Sequence, residues 1–339
     1  MRKRNTGTSL LTVVVSVILI SDWNTAMSGA NEGIQLCLYS VIPSLFPMFV
    51  LTTILSSSIH LTNSPIGRSV CKLCKMPAGS ESFLFLGLLS GYPVGAQCIT
   101  EAYHNNRISK TSAHRLLGFC SNAGPAFILG MVSFLFPSKS TVFILWIIHI
   151  LSTLIVGHLL PCDEQEEAIV SPPRTVTMAK AVEKSVKNIA IVCGWIILFK
   201  IFIAIIDKWF FSSTNNIITV TFSGILELAN GIYRLNSIEN LGMKFSITSF
   251  ILGLGGVCVL LQTNSVTSEL GLGYYFPGKV LQAATSFLIA SVVQYTAFPK
   301  ENRWESIWII DIFILILWSS VLYFLYKQKN SSISDKTIV

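Results

Sequence analysis

Apolar residues in this chain fall into long blocks divided by short polar stretches. The blocks lie at about 8–26, 34–57, 83–103, 113–136, 140–160, 187–206, 217–231, 245–262, 279–298 and 305–326. Most are near the roughly 17–25 residues a helix needs to cross a bilayer, so the pattern predicts an all-α multi-pass membrane protein with about 8–10 membrane segments.

Three blocks are not uniform. The third is interrupted by Ser90-Gly91-Tyr92-Pro93 and the fourth by Ser121-Asn122-Ala123-Gly124-Pro125; the eighth holds Gly253, Gly255 and Gly256 and ends on Gln262. Glycine and proline free backbone groups that lipid cannot satisfy, and such backbone is tolerated at membrane depth only where protein or a water-filled cavity covers it. A single break reads equally well as a proline kink. Three breaks, each beside polar residues, predict re-entrant or broken-helix hairpins around a polar cavity.

A weak internal echo supports this. Gly91 is followed six residues later by Gln97 and then by Arg115-Leu116-Leu117; Gly256 is followed six residues later by Gln262 and then by Lys279-Val280-Leu281. Both read as broken helix, glutamine, polar loop, basic residue, apolar helix. The expectation is an inverted repeat of hairpins. Between the halves, Pro161–Val186 carries Asp163, Glu164, Glu166, Glu167, Pro172 and Pro173 and reads as a connecting loop.

Composition agrees with lipid as the solvent. The 339 residues are 52% hydrophobic and only 12% charged, with a mean hydropathy of +0.63; a soluble domain carries about a quarter charged residues. The net charge of +7 comes from basic residues clustered between apolar blocks. Positive-inside topology accounts for them better than nucleic acid does. Arg2, Lys3 and Arg4 place the start of the chain in the cytoplasm, and Arg68, Lys72 and Lys75 mark a second inside loop. The block Ser9–Ile20, with small residues near Ala26–Ala30, reads either as a signal peptide or as a retained first helix; chains of this class favour retention. Cys71-x-x-Cys74 is one pair without the second pair or histidines of a zinc site, so it reads as two incidental thiols in a cytoplasmic loop.

Polar groups within the blocks are the candidate functional residues, because lipid makes them costly. A substrate site is expected at Ser90, Gly91, Tyr92, Pro93, Gln97, Ser121, Asn122, Gly256 and Gln262. The paired glutamines offer amide donors and acceptors to a polar ligand, with helix–helix bonding as the plainer alternative. A helix start after Gly91 would favour an anion. Arg115, Glu227 and Asn230 are the candidate coupling or charge partners. Arg115 and Lys279 could add charge for such an anion, though Lys279 fits a snorkelling interfacial role better; His149, Lys200 and Asp311 read as packing or snorkelling residues. No phosphate-binding GxxxxGK[ST], HExxH or GxSxG motif occurs, and no cofactor, metal or enzymatic activity is expected.

Phe83–Ala96, Arg115–Pro125, Pro43-Ser44-Leu45-Phe46-Pro47, Gly224–Gly231 and Gly255-Gly256-Val257 leading to Gln262 together resemble the sporulation integral membrane proteins of the YlbJ (SpoVV) type. That resemblance covers roughly residues 10–325. It implies a nucleoside-recognition gate domain similar to part of the concentrative nucleoside transporters. The implied layout is N-terminal membrane helices (1–60), a first gate-type repeat (61–160), a polar loop (161–186), a second repeat (187–326) and a polar tail (327–339). The implied role is movement of a small polar or anionic solute during endospore formation, with dipicolinate favoured. It implies a bacterial cell membrane, in particular the mother-cell-derived membrane of the forming spore. Nucleoside transport and a non-transporting assembly factor or scaffold are the alternatives. The partners expected are the bilayer and the solute, not nucleic acid; a homo-oligomer is left open.

Overall fold

The computed structural model describes residues 6–58, 64–162, 176–211, 216–267 and 269–336, and among them every regular element is helical. In chain order the helices are α1 (Thr6–Ser21), α2 (Trp23–Leu36), α3 (Ile42–Ser58), α4 (Pro65–Leu73), α5 (Glu81–Ser90), α6 (Val94–His104), α7 (Lys110–Leu117) and α8 (Pro125–Met131). They continue as α9 (Lys139–Leu159), α10 (Met178–Phe210), α11 (Ile217–Leu226), α12 (Leu228–Arg234), α13 (Leu241–Leu254), α14 (Gly256–Thr267), α15 (Tyr275–Ala297) and α16 (Ile307–Lys336). Among the described residues six stretches are long and apolar enough to cross a membrane: Trp23–Leu55, Lys139–Leu159, Met178–Phe210, Leu241–Thr267, Tyr275–Ala297 and Ile307–Asn330. The protein is an all-α multi-pass membrane protein, and the remaining apolar blocks resolve into shorter helices.

The chain does not break at 27–33 as the polar residues there suggested. It breaks at Asp22, and α2 runs through a π turn at Cys37–Val41 into α3. Proline has no N–H for the preceding turn, and the π turn lies just before Pro43. Gly29 and Gly33, one turn apart, bring α2 against α10: a Cβ on Gly29 would lie 3.0 Å from Ala204 Cβ, and one on Gly33 3.0 Å from Ile197 Cα. The small residues near 26–30 are thus a packing face of the kind small-xxx-small patterns make. Helix α10 begins nine residues before the predicted span, where Thr177 accepts a hydrogen bond from the Lys180 amide. Its 33 residues extend about 50 Å, and it packs on α2, α3, α11 and α14.

Two short helix pairs fold back on themselves. Helix α5 packs on α6, and α11 on α12. With arms of 7 to 11 residues, each hairpin reaches about 10–16 Å, between a third and just over half of the roughly 30 Å hydrocarbon layer. The block at 217–231 is therefore a hairpin turning at Glu227, not the single span its apolar run suggested. The order hairpin, broken helix, long helix occurs twice: α5–α6, α7/α8, α9 and then α11–α12, α13/α14, α15. Counting 110–135 as one crossing, three crossings separate the hairpins, so they open toward opposite sides.

The Cys-x-x-Cys pair is not in a loop. Cys71 and Cys74 lie on and just after α4 and are buried. The Cys71 thiol donates to Glu81 Oε2 at 3.0 Å, and that oxygen also accepts from the Gly79 amide at 2.8 Å. Burial, with the Glu81 carboxylate beside it, pushes the Cys71 thiol up to about 12. Among the described residues no group of three or more His, Cys, Asp or Glu side chains is placed to hold a metal.

Candidate functional site

The first hairpin turns where α5 ends on Gly91 at φ 82°, a conformation that side chains disfavour. Tyr92 and Pro93 complete the turn, and the Val94 amide donates back to Gly91 O at 3.1 Å. The tip docks on the first broken helix: a Cβ on Gly91 would lie 3.1 Å from the Gly124 nitrogen, and one on Gly124 3.0 Å from the Gly91 nitrogen.

The second hairpin turns differently. Glu227 is extended and caps α12: its Oε1 accepts from the Ala229 amide at 2.9 Å and its Oε2 from the Asn230 amide at 2.6 Å. A helix start leaves its first N–H groups without partners, and a carboxylate there meets both them and the helix dipole. The carboxylate is buried, at 2% exposure. Next to it, Lys200 Nζ donates to Asn230 Oδ1 and pairs with Glu32 Oε2, both at 2.9 Å. Lys200 is therefore a bridge between α2 and the hairpin, not a snorkelling residue. The second broken helix bends at Gly255 and Gly256, with φ of 74° and 84°; its Gly256 packs on the end of α11, where a Cβ would lie 3.0 Å from Ile225 O.

Both tips and both broken helices converge on one small cavity of 30 Å³, room for about one or two waters. Gly91 and Tyr92 from the first tip, Ala123 and Gly124 from the first break, Glu227 from the second tip and Gln262 from α14 face it, and α3 and α10 close its side. Of the residues singled out from sequence, Gly91, Tyr92, Glu227 and Gln262 line this cavity. Ser90, Pro93, Asn122 and Asn230 lie one or two positions from lining residues, Ser121 is two before Ala123, and Gly256 sits at the bend above Gln262.

Gln97 and Arg115 are elsewhere. Gln97 exchanges two hydrogen bonds with Asn188 of α10, at 2.9 and 3.0 Å, and is not a wall of the cavity. Arg115 is buried and donates to four carbonyls: Cys74 O and Gly157 O at 2.7 Å, and Lys75 O and Pro161 O at 3.1 Å. These belong to the ends of α4 and α9, whose last carbonyls have no partner within their own helices. Arg115 ties two helix ends together. The Gln97/Gln262 and Arg115/Lys279 correspondence is thus not the structural one: Gly91 matches Glu227 as a tip, and residues 118–124 match Gly255–Gly256 as a break.

The sequence reading missed the polar cluster behind the first tip. Lys279 is 1% exposed, well inside α15, because that helix starts at Tyr275. Its Nζ donates to Asn122 Oδ1 at 3.1 Å and Gln282 Oε1 at 2.6 Å. Gln282 Nε2 donates to Asn122 Oδ1 at 2.9 Å and Thr153 Oγ1 at 2.7 Å. His149 Nε2 accepts from the Ala123 amide at 3.3 Å, so it belongs to the cluster and is not mere packing. The spacing was a usable signal: His149 with Thr153, and Lys279 with Gln282, are four and three residues apart and share a helix face. The ammonium also lies over the Tyr92 ring, 5.2 Å from its centroid, a contact worth about 2 kcal/mol when desolvated. On the same segments, Ser90 Oγ, Tyr92 Oη, Ser121 Oγ and His149 Nδ1 are buried without a hydrogen-bond partner among the described residues. Burying such groups unpaired is costly, and clusters of them are unusual in native folds.

The chain is similar to the sporulation integral membrane protein YlbJ of Bacillus subtilis (strain 168). The two are 23% identical over 365 aligned residues, which cover 94% of this chain and 85% of that protein. No family model matches the chain, and no solved structure matches it.

Proposed function

We propose that this protein moves a small polar or anionic solute across a bilayer during endospore formation, in the membrane that surrounds the forming spore. The observation that carries the reading is the convergence of two hairpin tips and two broken helices on one small cavity. Broken helices that meet near mid-membrane are how secondary transporters build a site reachable from either side in turn. In the conformation described the cavity is too small for a solute, so the tips must part to admit one. The sporulation role follows the name of the Bacillus subtilis relative.

Dipicolinate, a small dianion, is the favoured solute. The test is dipicolinate content of spores from a Bacillus subtilis strain lacking its own YlbJ and carrying this chain. Restored dipicolinate, lost again on Gln262→Ala at unchanged protein level, is the expected result. Spores that mature normally with Gln262→Ala and Tyr92→Ala would favour the assembly-factor role. Uridine uptake in the same strains tests nucleoside transport.

A further inference from the structure

We infer that Lys279 is the residue by which this site selects an anion, with a carboxylate as the group it takes. The inference rests on the solute-moving role proposed above and adds the chemistry of recognition.

Three observations carry it. First, Lys279 is a fully buried lysine with no carboxylate within ion-pair distance among the described residues; its protein acceptors are two neutral amide oxygens, on Asn122 and Gln282. Buried charges are ordinarily paired, because an uncompensated one is among the costliest things a fold can hold. Lys200 of α10 is paired with Glu32, whereas Lys244, near the start of α13, reaches the Leu135 carbonyl at 3.5 Å.

Second, an ammonium has three donors, and two are used. The remaining side of Nζ lies over the face of Tyr92, a ring that also lines the cavity. Tyr92 belongs to the first hairpin tip, and its hydroxyl abuts the second bend, where a Cβ on Gly255 would lie 3.0 Å from it. Movement of that tip uncovers the ammonium toward the cavity. An anion then replaces the ring face as the third partner.

Third, the orphaned hydroxyls of Ser90, Tyr92 and Ser121 are all buried donors on the two segments that meet at this point. A carboxylate accepts several hydrogen bonds at once, and a carboxylate on Lys279 would satisfy donors that the protein leaves unpaired. A neutral polar solute would satisfy the hydroxyls but not the charge.

The test uses the purified full-length protein in nanodiscs, with dipicolinate and its uncharged analogue 2,6-pyridinedimethanol as probes in calorimetric titrations. The wild type is expected to prefer dipicolinate by at least tenfold. Lys279→Met is expected to lose that preference, to keep its affinity for the diol, and to melt no lower than the wild type without ligand. Lys279→Arg is expected to restore the preference. Should Lys279→Met not fold, Lys279→Gln against Lys279→Arg makes the same comparison, and the preference must follow the charge. A neutral variant that still prefers dipicolinate overturns the inference. So does a wild type that binds both probes alike, which would leave the solute-moving role intact. A wild type that binds neither probe overturns the inference and the dipicolinate assignment with it, and uridine uptake then decides whether the solute-moving role stands.

Discussion

Gly224 and Gly231 meet backbone to backbone across the second hairpin: a Cβ on Gly231 would overlap the Gly224 Cα. The first hairpin is closed in the same way, with a Cβ on Gly95 falling 3.1 Å from the Gly87 Cα. Absent side chains let two short helices lie close enough to satisfy each other's surfaces where lipid would not.

Gly231→Ala should therefore force α11 from α12 and lower stability by about 2 kcal/mol or more, as overpacking does. Gly194→Ala is the internal control. Nothing lies within 4 Å of the added Cβ there, and a helical alanine should stabilise by about 0.5–1 kcal/mol. Melting of the purified variants checks both signs.

Arg115→Met should destabilise without altering solute preference. It strips the donors from four carbonyls at two helix ends, and each buried group left unpaired costs about 1–3 kcal/mol. Arg115→Lys should recover only part of the loss, because an ammonium cannot reproduce the planar fork. Unchanged melting of the Met variant would contradict the role described for this residue.

The two glutamines should separate. Gln97→Ala removes two bonds to Asn188, worth about 0.6 kcal/mol each within a membrane, and should leave solute movement intact. Gln262→Ala changes a cavity wall and should impair movement at normal protein level. Equal functional loss in both would count against the site as drawn.

Asp22 supplies an acid-range dependence. The Lys208 ammonium, the Thr25 hydroxyl and the Trp209 indole N–H hold its carboxyl down to about 2. A group whose folded value is depressed stabilises fully above its unfolded value, and the gain disappears as pH falls toward the folded one. The melting advantage of wild type over Asp22→Asn should thus be present at pH 5 and shrink steadily between about pH 4 and pH 2. An advantage that grows on acidification would reverse the sign argued here.

How much of this was legible depended on whether local composition or tertiary packing decided each feature. The first hairpin could be read because Ser90-Gly91-Tyr92-Pro93 carries its turn in its own residues. The second could not: Glu227 turns the chain by capping α12 with its side chain, and no glycine or proline stands at the turn itself. Lys279 looked interfacial because its apolar block begins there, yet α15 starts four residues earlier. The partners that make it a cluster, Asn122 and Thr153, lie more than a hundred residues away. The helical continuity at 27–33 was hidden for the same reason: Gly29 and Gly33 look like breakers until α10 is laid against them.

Helix α10 has a further consequence for where the protein can reside. Its first turns carry Lys180, Glu183, Lys184 and Lys187 and its last turn Asp207 and Lys208, so the mainly apolar stretch from residue 189 to 206 measures about 27 Å along its axis. That falls a little short of the roughly 30 Å of an average hydrocarbon layer, a mismatch met by thinning the lipid around the helix or by snorkelling of its flanking lysines. Because α10 packs on α11 and α14 as well as on α2 and α3, a shift of α10 toward a matching layer is transmitted to the second hairpin. Bilayer thickness thereby becomes a setting of the cavity itself, and lipid vesicles with longer or shorter acyl chains should change its occupancy with no residue altered.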